Sequence, residues 1–418
     1  MALRVGLLSR YLPSPSETFV LDEGLALRAV GAEVVPMALD RVPKAVGHAR
    51  FAELYREALV VPRPSSLRSL YATAVLDANP LMPMVRAHWS GVAAPRDLRR
   101  ACWLARALAS QRVDILRVHH AAEVARHAVV AGLLAGVPVS VAVHARDLFV
   151  PVNDFSWIVS QSAHVTTVTP FHREHLLRAG LPSERVALMP CAVTVPARRA
   201  EPPTASGPLR LLSVGRLVPK KGHDLLIAAC ALLADDGLEV ELVIVGAGAE
   251  GLKLRQQASA ALASSEGRLR IEFRGVVPVE EVEELLLEGR FHAQVLACRV
   301  TEDGDRDGLP VSLLEAQAAG LPIVTSALPG FEATFEDGRG GVLLPLATGG
   351  RREADQQQVH PADLAQVLRE LYDDVGWRDE LADGARAASE QRLSPTESAK
   401  RLLGMLSPLV EPVDADVR

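Results

Sequence analysis

The chain has 418 residues, enough for two or three domains at about 150 residues each. Hydrophobic residues make up 49% and charged residues 23%, which excludes a wholly disordered chain, and a formal charge of −6 leaves no nucleic-acid footprint. The total hides an asymmetry, because residues 1–200 hold 23 Lys and Arg against 15 Asp and Glu, whereas residues 201–418 hold 22 against 36. Opposite signs suggest two domains with different partners, although solvated faces of different composition read the same way.

Cys102, Cys191, Cys230 and Cys298 form no C-x-x-C pair, which argues against a zinc site or disulfide scaffold and suits a reducing compartment. No apolar run reaches the roughly 18 residues that span a bilayer. The N-terminus has only a short apolar stretch before Arg10 and reads as a first strand, not a signal peptide. A cytoplasmic protein is expected, or one peripheral to the cytoplasmic face of the membrane.

In chain order, strands are predicted at Arg4–Ser9, Glu33–Ala38, Asp114–Val118, Val137–His144, Val165–Thr169 and Val186–Pro190. They are Val-, Leu- and Ile-rich and mostly unbroken by polar residues, as strands buried on both faces should be. Helices are predicted between them, at Ser16–Val30, Arg96–Gln111 and Glu123–Ala135. The segment Thr194–Pro208, with Pro196, Pro202, Pro203 and Pro208, breaks the pattern and reads as an interdomain linker.

The alternation then restarts. Strands are predicted at Leu209–Val214, Val240–Val245, Arg270–Phe273, Ala293–Ala297, Pro322–Thr325 and Gly341–Leu344. Helices are predicted at His223–Asp235, Gly251–Ala263, Val279–Leu287, Val311–Ala319 and Pro361–Tyr372, with Gly320 as a C-terminal cap. Leu346–His360 lacks periodicity and reads as an exposed loop, and Trp377–Leu406 as one or two further helices. The expected class is α/β, with two doubly wound Rossmann-like domains. Their spans are 1–195 and 209–390, joined by a linker at 196–208, with a C-terminal helix and tail over 391–418 packing back on the first domain. Ligands in such folds bind beyond the carboxyl ends of the strands.

Three motifs in the second half carry chemistry. Val214-Gly215-Arg216-Leu-Val-Pro-Lys-Lys221-Gly follows a strand and precedes a helix. Gly215 permits a tight turn, and Arg216 and Lys221 on one short loop suit a diphosphate, although a solvated basic loop has the same composition. Gly246, Gly248 and Gly251 satisfy G-x-G-x-x-G, but after the second strand of their domain. A tight turn lining a nucleotide pocket therefore fits better than a dinucleotide site. In Glu302-Asp-Gly-Asp-Arg-Asp307-Gly308-Leu309-Pro310-Val-Ser-Leu-Leu-Glu315, Pro310 suits the first helical position. The free N–H groups beside Gly308 and Leu309 favour an anion, Glu315 can accept two ribose hydroxyls, and Asp307 can accept from sugar hydroxyls. Asp303-x-Asp305-x-Asp307-Gly308 opens like a calcium loop, but its twelfth position is Leu314, where a bidentate Glu is needed. Asp303-x-Asp305 also resembles the D-x-D of metal-dependent sugar transferases, and its place late in a second nucleotide-type domain argues against that.

Together these motifs resemble the retaining glycosyltransferases of the two-domain GT-B fold, family 4. Arg216-Leu-Val-Pro-Lys-Lys221-Gly, Gly246-Ala-Gly248 and Asp307-Gly-Leu-Pro-Val-Ser-Leu-Leu-Glu315-Ala-Gln-Ala-Ala-Gly-Leu-Pro-Ile-Val324 carry the resemblance. The run Asp303–Pro310, with Ser16-Glu17-Thr18-Phe19 and His144-Ala-Arg-Asp147-Leu-Phe149, resembles the branch that builds bacterial exopolysaccharides, including colanic-acid-type transferases. The resemblance implies two domains facing a central cleft. It implies that Arg216 and Lys221 hold the donor diphosphate, Glu315 the ribose and Asp307 the donor sugar. His144 would lie near the transferring sugar and Glu17 near the acceptor or donor sugar. It also implies a UDP- or GDP-sugar donor, a glycan or lipid-linked acceptor, retention of configuration, and no cofactor or required metal. Read without the resemblance, His144 could be an ordinary buried histidine, Asp147 a cap of the following turn and Glu17 a stabiliser of its helix N-terminus. Where relatives often read G-I-P-E, this chain has Gly330-Phe-Glu332-Ala, which shifts the glutamate by one place.

Arg96, Arg99, Arg100 and Arg106 crowd one predicted helix, expected either to meet anionic lipid at the inner membrane or to be a solvated face. Two other function classes use the same residues: a sugar-nucleotide epimerase or hydrolase on a similar fold, and a non-catalytic nucleotide-sugar-binding protein.

Overall fold

Strands buried on both faces need helices on both faces, and the chain supplies them in two separate units. The computed structural model describes residues 2–12, 17–41, 48–89, 95–150, 153–201, 203, 207–347 and 357–410. Ser16, part of the proline-rich segment and residues 348–356 of the expected loop lie outside these residues.

The first unit comprises Met1–Val168, His172–Pro190 and Pro395–Arg418. Its strands are β1 (Arg4–Leu12), β2 (Glu33–Arg41), β3 (Leu59–Val60), β4 (Ile115–His119), β5 (Val139–Val143), β6 (His164–Thr167) and β7 (Val186–Leu188). They form one parallel sheet in the order β3-β2-β1-β4-β5-β6-β7. Val5, Leu7 and Ile115 face one layer, where Val20 and Leu27 of the helix Thr18–Ala29 meet Leu402 and Leu406 of the C-terminal helix Pro395–Leu406. Leu8, Leu116, Val118 and Val141 face the other layer and pack on the helices Pro95–Ser110 and Glu123–Ala135.

The second unit comprises Thr169–Phe171 and Cys191–Ser394. Its strands β8 (Leu209–Val214), β9 (Val240–Val245), β10 (Leu269–Gly275), β11 (Ala293–Leu296), β12 (Ile323–Ser326) and β13 (Gly341–Leu344) form a parallel sheet in the order β10-β9-β8-β11-β12-β13. Both sheets reverse direction of growth next to their first strand, between β1 and β4 and between β8 and β11. That switch point is where the strand ends open a crevice for a ligand.

The segment expected as a linker is laid along the second unit. Ala200 N–H donates to Ala319 O at 2.8 Å, Arg198 Nη2 to Leu287 O at 3.0 Å and Arg378 Nη2 to Pro203 O at 3.2 Å. Its prolines and small residues read as a tether in sequence, but their backbone groups are used by neighbouring helices. Helix ends follow the expected chemistry. Gly320 caps Val311–Ala319 at φ +81°, and the short strand β3 is an element that the sequence pattern left out. Pro310 stands one residue outside its helix, not at the first helical position.

Candidate active site

At the second unit's switch point, β8 runs into the loop Gly215–Gly222 and β11 into Ala297–Pro310. Glycines lock the basic loop to the turn after β9 and to the loop after β11. Gly246 has φ +136°, and a Cβ there would lie 2.0 Å from Gly215 O; one on Gly248 would lie 2.3 Å from Leu217 O. Gly222, at φ +66°, passes equally close to Ala297 O. The backbone closes the arrangement, with Leu217 N–H donating to Ala247 O at 3.0 Å and Arg299 N–H to Lys220 O at 2.9 Å. These contacts make the G-x-G a packing device for the basic loop, in line with a turn beside a pocket.

The basic loop then meets the acidic one. Lys221 Nζ lies 2.9 Å from Asp307 Oδ2, and Lys220 Nζ lies 2.9 Å from Asp305 Oδ1 and 3.7 Å from Asp307 Oδ1. Lys220 Nζ also donates to Arg306 O at 3.2 Å. Both lysines are buried, whereas Arg216 is exposed at the loop's start. Burial alone would raise the Asp307 carboxyl, but Lys221, Lys220 and Arg216 outweigh it and keep it ionised below its ordinary range. Asp305 and Asp307 are thus turned onto the lysines, and Asp303 accepts from Thr301 Oγ1 at 2.5 Å, an arrangement unlike the converging ligands of a calcium loop. Lys220 was not singled out in sequence, and Asp305 only within metal-binding patterns; the signal for their pairing was a second lysine and a second acid two residues from Asp307.

Gly308 and Leu309 lead into Val311–Ala319, whose first turn is fixed by Ser312 Oγ donating to Val214 O at 2.8 Å and Gln294 Nε2 donating to Ser312 O at 2.8 Å. Glu315 is half-buried on that helix. Glu332 Oε2 accepts from Gly330 N–H at 2.9 Å, which gives that glutamate a local turn-forming contact.

At the first unit's switch point a different network gathers. Arg117 Nε and Nη2 donate to the two oxygens of Glu23 at 3.0 and 3.2 Å, and Arg117 Nη1 to Ser140 Oγ at 2.9 Å. His119 Nε2 meets Glu23 Oε1 at 3.0 Å, and His119 Nδ1 meets His144 Nε2 at 3.3 Å. Burial would raise the Glu23 carboxyl, but Arg117 and His119 outweigh it and hold it well below the usual carboxylate range. An ionised Glu23 makes His119 Nε2 the donor and Nδ1 the acceptor, so His144 carries its proton on Nε2, and its other ring nitrogen accepts from the Asp147 N–H in a capping box. Burial, followed by the nearby His120 and His119, pushes His144 well below its ordinary value, so its imidazole is neutral. Phe19 packs against His144 at 5.3 Å between ring centroids.

Asp147 does more than cap a turn. Its Oδ2 accepts from His144 N–H at 2.9 Å and from Ala121 N–H at 3.0 Å, tying the ends of β4 and β5 together. Glu17 precedes the helix Thr18–Ala29 without a side-chain cap bond, and its Oε1 lies 3.6 Å from His120 Nε2. The structure thus brings His144 and Glu17 to one neighbourhood through His120. Glu23, Arg117, His119 and His120 were not found in sequence, where the one signal was an arginine and a histidine pair inside and beside an apolar strand.

The arginine face expected on the helix Pro95–Ser110 is only partly exposed: Arg96 and Arg106 are exposed, whereas Arg100 is not. Arg100 is turned inward onto Asp40 at 2.9 Å and Leu39 O, and Arg106 lies 5.0 Å over the Tyr71 ring. An arginine has the reach to leave its helix for a strand carbonyl and a neighbouring carboxylate, and the spacing of charges does not reveal that.

Residues 195–347 match the family described as Glycosyl transferases group 1. The amylovoran biosynthesis glycosyltransferase of Erwinia amylovora is 30% identical over 241 residues, which cover 54% of this chain and 57% of that protein. The putative colanic acid biosynthesis glycosyltransferase of Escherichia coli (strain K12) is 29% identical over 204 residues, 48% of this chain and 49% of that protein. The chain thus spans about half the length of the curated relatives it matches. The crystal structure of Alr3699/HepE from Anabaena, in complex with UDP and glucose, superposes with a TM-score of 0.70 at 15% identity, over 97% of this chain and 99% of that one. That likeness shows the fold, the GT-B fold of two Rossmann-like units. Residues 195–347, in the second unit, are thus similar to the glycosyl transferases group 1 family.

Proposed function

We propose that the chain is a glycosyltransferase that moves a sugar from a UDP- or GDP-sugar to a hydroxyl of a glycan or lipid-linked acceptor. The reading extends to a hexosyl transfer with retention of configuration, in building bacterial exopolysaccharide or cell-surface polysaccharide on the cytoplasmic side of the membrane. The observation that carries it is the cation cluster at the second switch point, inside the matched residues. There Lys221 is fixed by Asp307, Arg216 is exposed, and Gly308 and Leu309 lead into a helix that has no side-chain cap and whose Ser312 hydroxyl donates to Val214 O just before the basic loop.

In this reading Arg216 and Lys221 take the donor diphosphate, and the helix end adds backbone N–H groups as charge builds on the leaving group. Glu315 accepts from the ribose. Gly215, Gly246 and Gly248 let the backbone come close, and Pro310 precedes the helix as its N-cap. Asp307 holds Lys221 in place and faces the donor sugar. His144, neutral, and Glu17 serve the transferring sugar and the acceptor hydroxyl. No resident metal takes part, since the cations of the chain itself meet the diphosphate. The basic balance of residues 1–200 suits an acceptor carried on an anionic lipid.

Thermal-shift measurement with a panel of nucleotide sugars, followed by transfer assays on Lys221→Ala and Glu315→Ala, tests this. A UDP- or GDP-sugar should stabilise the wild type, and each substitution should abolish that shift and lower transfer by about a hundredfold. Transfer that survives both substitutions would overturn the assignment.

A further inference from the structure

A helix on a protein surface normally turns its apolar arc inward. The helix Leu67–Leu76 does the reverse. With about 100° between successive residues, Leu67, Leu70, Tyr71, Ala74 and Val75 share one arc. All five are exposed, Leu67 by 84% and Tyr71 by 62%. The inward arc consists of Ser69, Ala72 and Thr73, with Leu76 half-buried. This orientation is fixed by bonds. Ser66 Oγ accepts from Ser69 N–H at 3.2 Å as the helix cap, Ser69 Oγ donates to Arg63 O at 3.2 Å, and Thr73 Oγ1 donates to Ser69 O at 2.9 Å. The turn that follows is held by Asn79 Nδ2 donating to Leu134 O at 3.1 Å, and Leu81 and Met84 extend the exposed apolar surface beyond it.

The charge around the stripe is one-sided. Residues 58–96 contain four arginines and a single acid, Asp77, which pairs with Arg86. Arg63, Arg68 and Arg106 are exposed.

We infer that the outward stripe of Leu67–Leu76 is an interfacial anchor that lies on an anionic lipid bilayer, with Leu67, Leu70, Tyr71 and Val75 in the headgroup boundary and Arg63, Arg68 and Arg106 on lipid phosphates. Apolar residues beside arginines are the composition of interfacial helices. A second copy of the chain is a poorer occupant, because it would set the same arginines against each other. This places the apolar part of the membrane contact on the helix Leu67–Leu76, with Arg106 contributed by the helix that the arginine spacing suggested. The inference rests on the proposed lipid-linked acceptor for its purpose, whereas its test uses neither donor nor acceptor and so stands apart from the transferase reading.

The test is flotation of the full chain with vesicles of phosphatidylcholine alone and of phosphatidylcholine with phosphatidylglycerol. The wild type should bind the anionic vesicles and bind them less at high salt. Leu67→Glu combined with Val75→Glu should lower that binding by about tenfold or more with an unchanged melting temperature, since both side chains are exposed. Equal vesicle binding by wild type and variant would overturn the inference, as would no binding to either vesicle. A dimer in sedimentation that the variant dissociates would assign the stripe to a second copy and overturn it as well.

Discussion

The two units gather polar residues at the same point of the same sheet topology and build opposite surroundings there. Beside β1 and β4, one carboxylate, Glu23, is neutralised by Arg117, and the imidazoles around it are held neutral by burial. Beside β8 and β11, two lysines face two aspartates, and Arg216 adds an exposed positive charge. Strand order decides where groups converge, whereas local charge decides what the place can hold. The first arrangement fixes an imidazole and its tautomer, and the second is prepared for an anion even though residues 201–418 are acidic overall.

The largest expected effect comes from pushing the glycine turn after β9 away from the basic loop of the second site. Gly246→Ala puts a Cβ 2.0 Å from Gly215 O in a backbone conformation at φ +136° that L side chains rarely adopt. Strain and overlap together should cost on the order of 4 kcal/mol, because the obstacle is backbone and cannot rotate away. Denaturant titration of the full chain should show this loss, and nucleotide-sugar stabilisation should vanish with it. An unchanged midpoint would mean that the glycine turn does not support the basic loop.

In the first unit the corresponding change is Glu23→Gln. It keeps the shape and leaves the buried Arg117 guanidinium without its counter-charge, which should cost about 3 kcal/mol at neutral pH. Its pH dependence has a definite sign. The Glu23 carboxyl is lower in the folded chain than in the unfolded one, so its stabilisation is complete above the unfolded value of about 4.3 and drains as pH falls below it. His164, pushed down to about 4 by burial and then by Arg117, adds a loss of the same sign. The unfolded chain takes up that proton first, so stability falls from pH of about 6.5 down to the folded value. Wild type and variant should therefore lose stability together between these values, and the gap between them should narrow only below about pH 4. A gap independent of pH would show that Glu23 does not act through its charge.

The two sites differed in how far the sequence revealed them. The second is built from two short contiguous stretches, each between a strand and a helix, and β8, β9 and β13 fall at their expected bounds. Arg216, Lys221 and Asp307 stood out because each lies in one loop with its glycines. The first is assembled from Glu23 on a helix, Arg117 and His119 on β4 and His144 after β5. No spacing rule links residues almost a hundred positions apart, so only His144 and Glu17 were named, and those through the family resemblance. The helix Leu67–Leu76 was also missed, for a physical reason: its inward arc is made of small and polar residues, which gives the periodic signal the wrong face.

The smallest expected effect distinguishes a glycine that the fold needs from one that merely completes a pattern. In dinucleotide-binding turns the third glycine of G-x-G-x-x-G is required for close packing of helix on strand. Here a Cβ on Gly251 meets only Leu217 Cδ1 at 3.5 Å, an ordinary contact, and Gly251 opens the helix Gly251–Ser264. Alanine in a helix gains what glycine loses in backbone entropy, so Gly251→Ala should leave stability within about 0.5 kcal/mol of wild type or raise it slightly. Nucleotide-sugar binding should be unchanged. A loss as large as that of Gly246→Ala would mean that this turn packs as a dinucleotide motif does, and the contrast between its first and third glycines would fail.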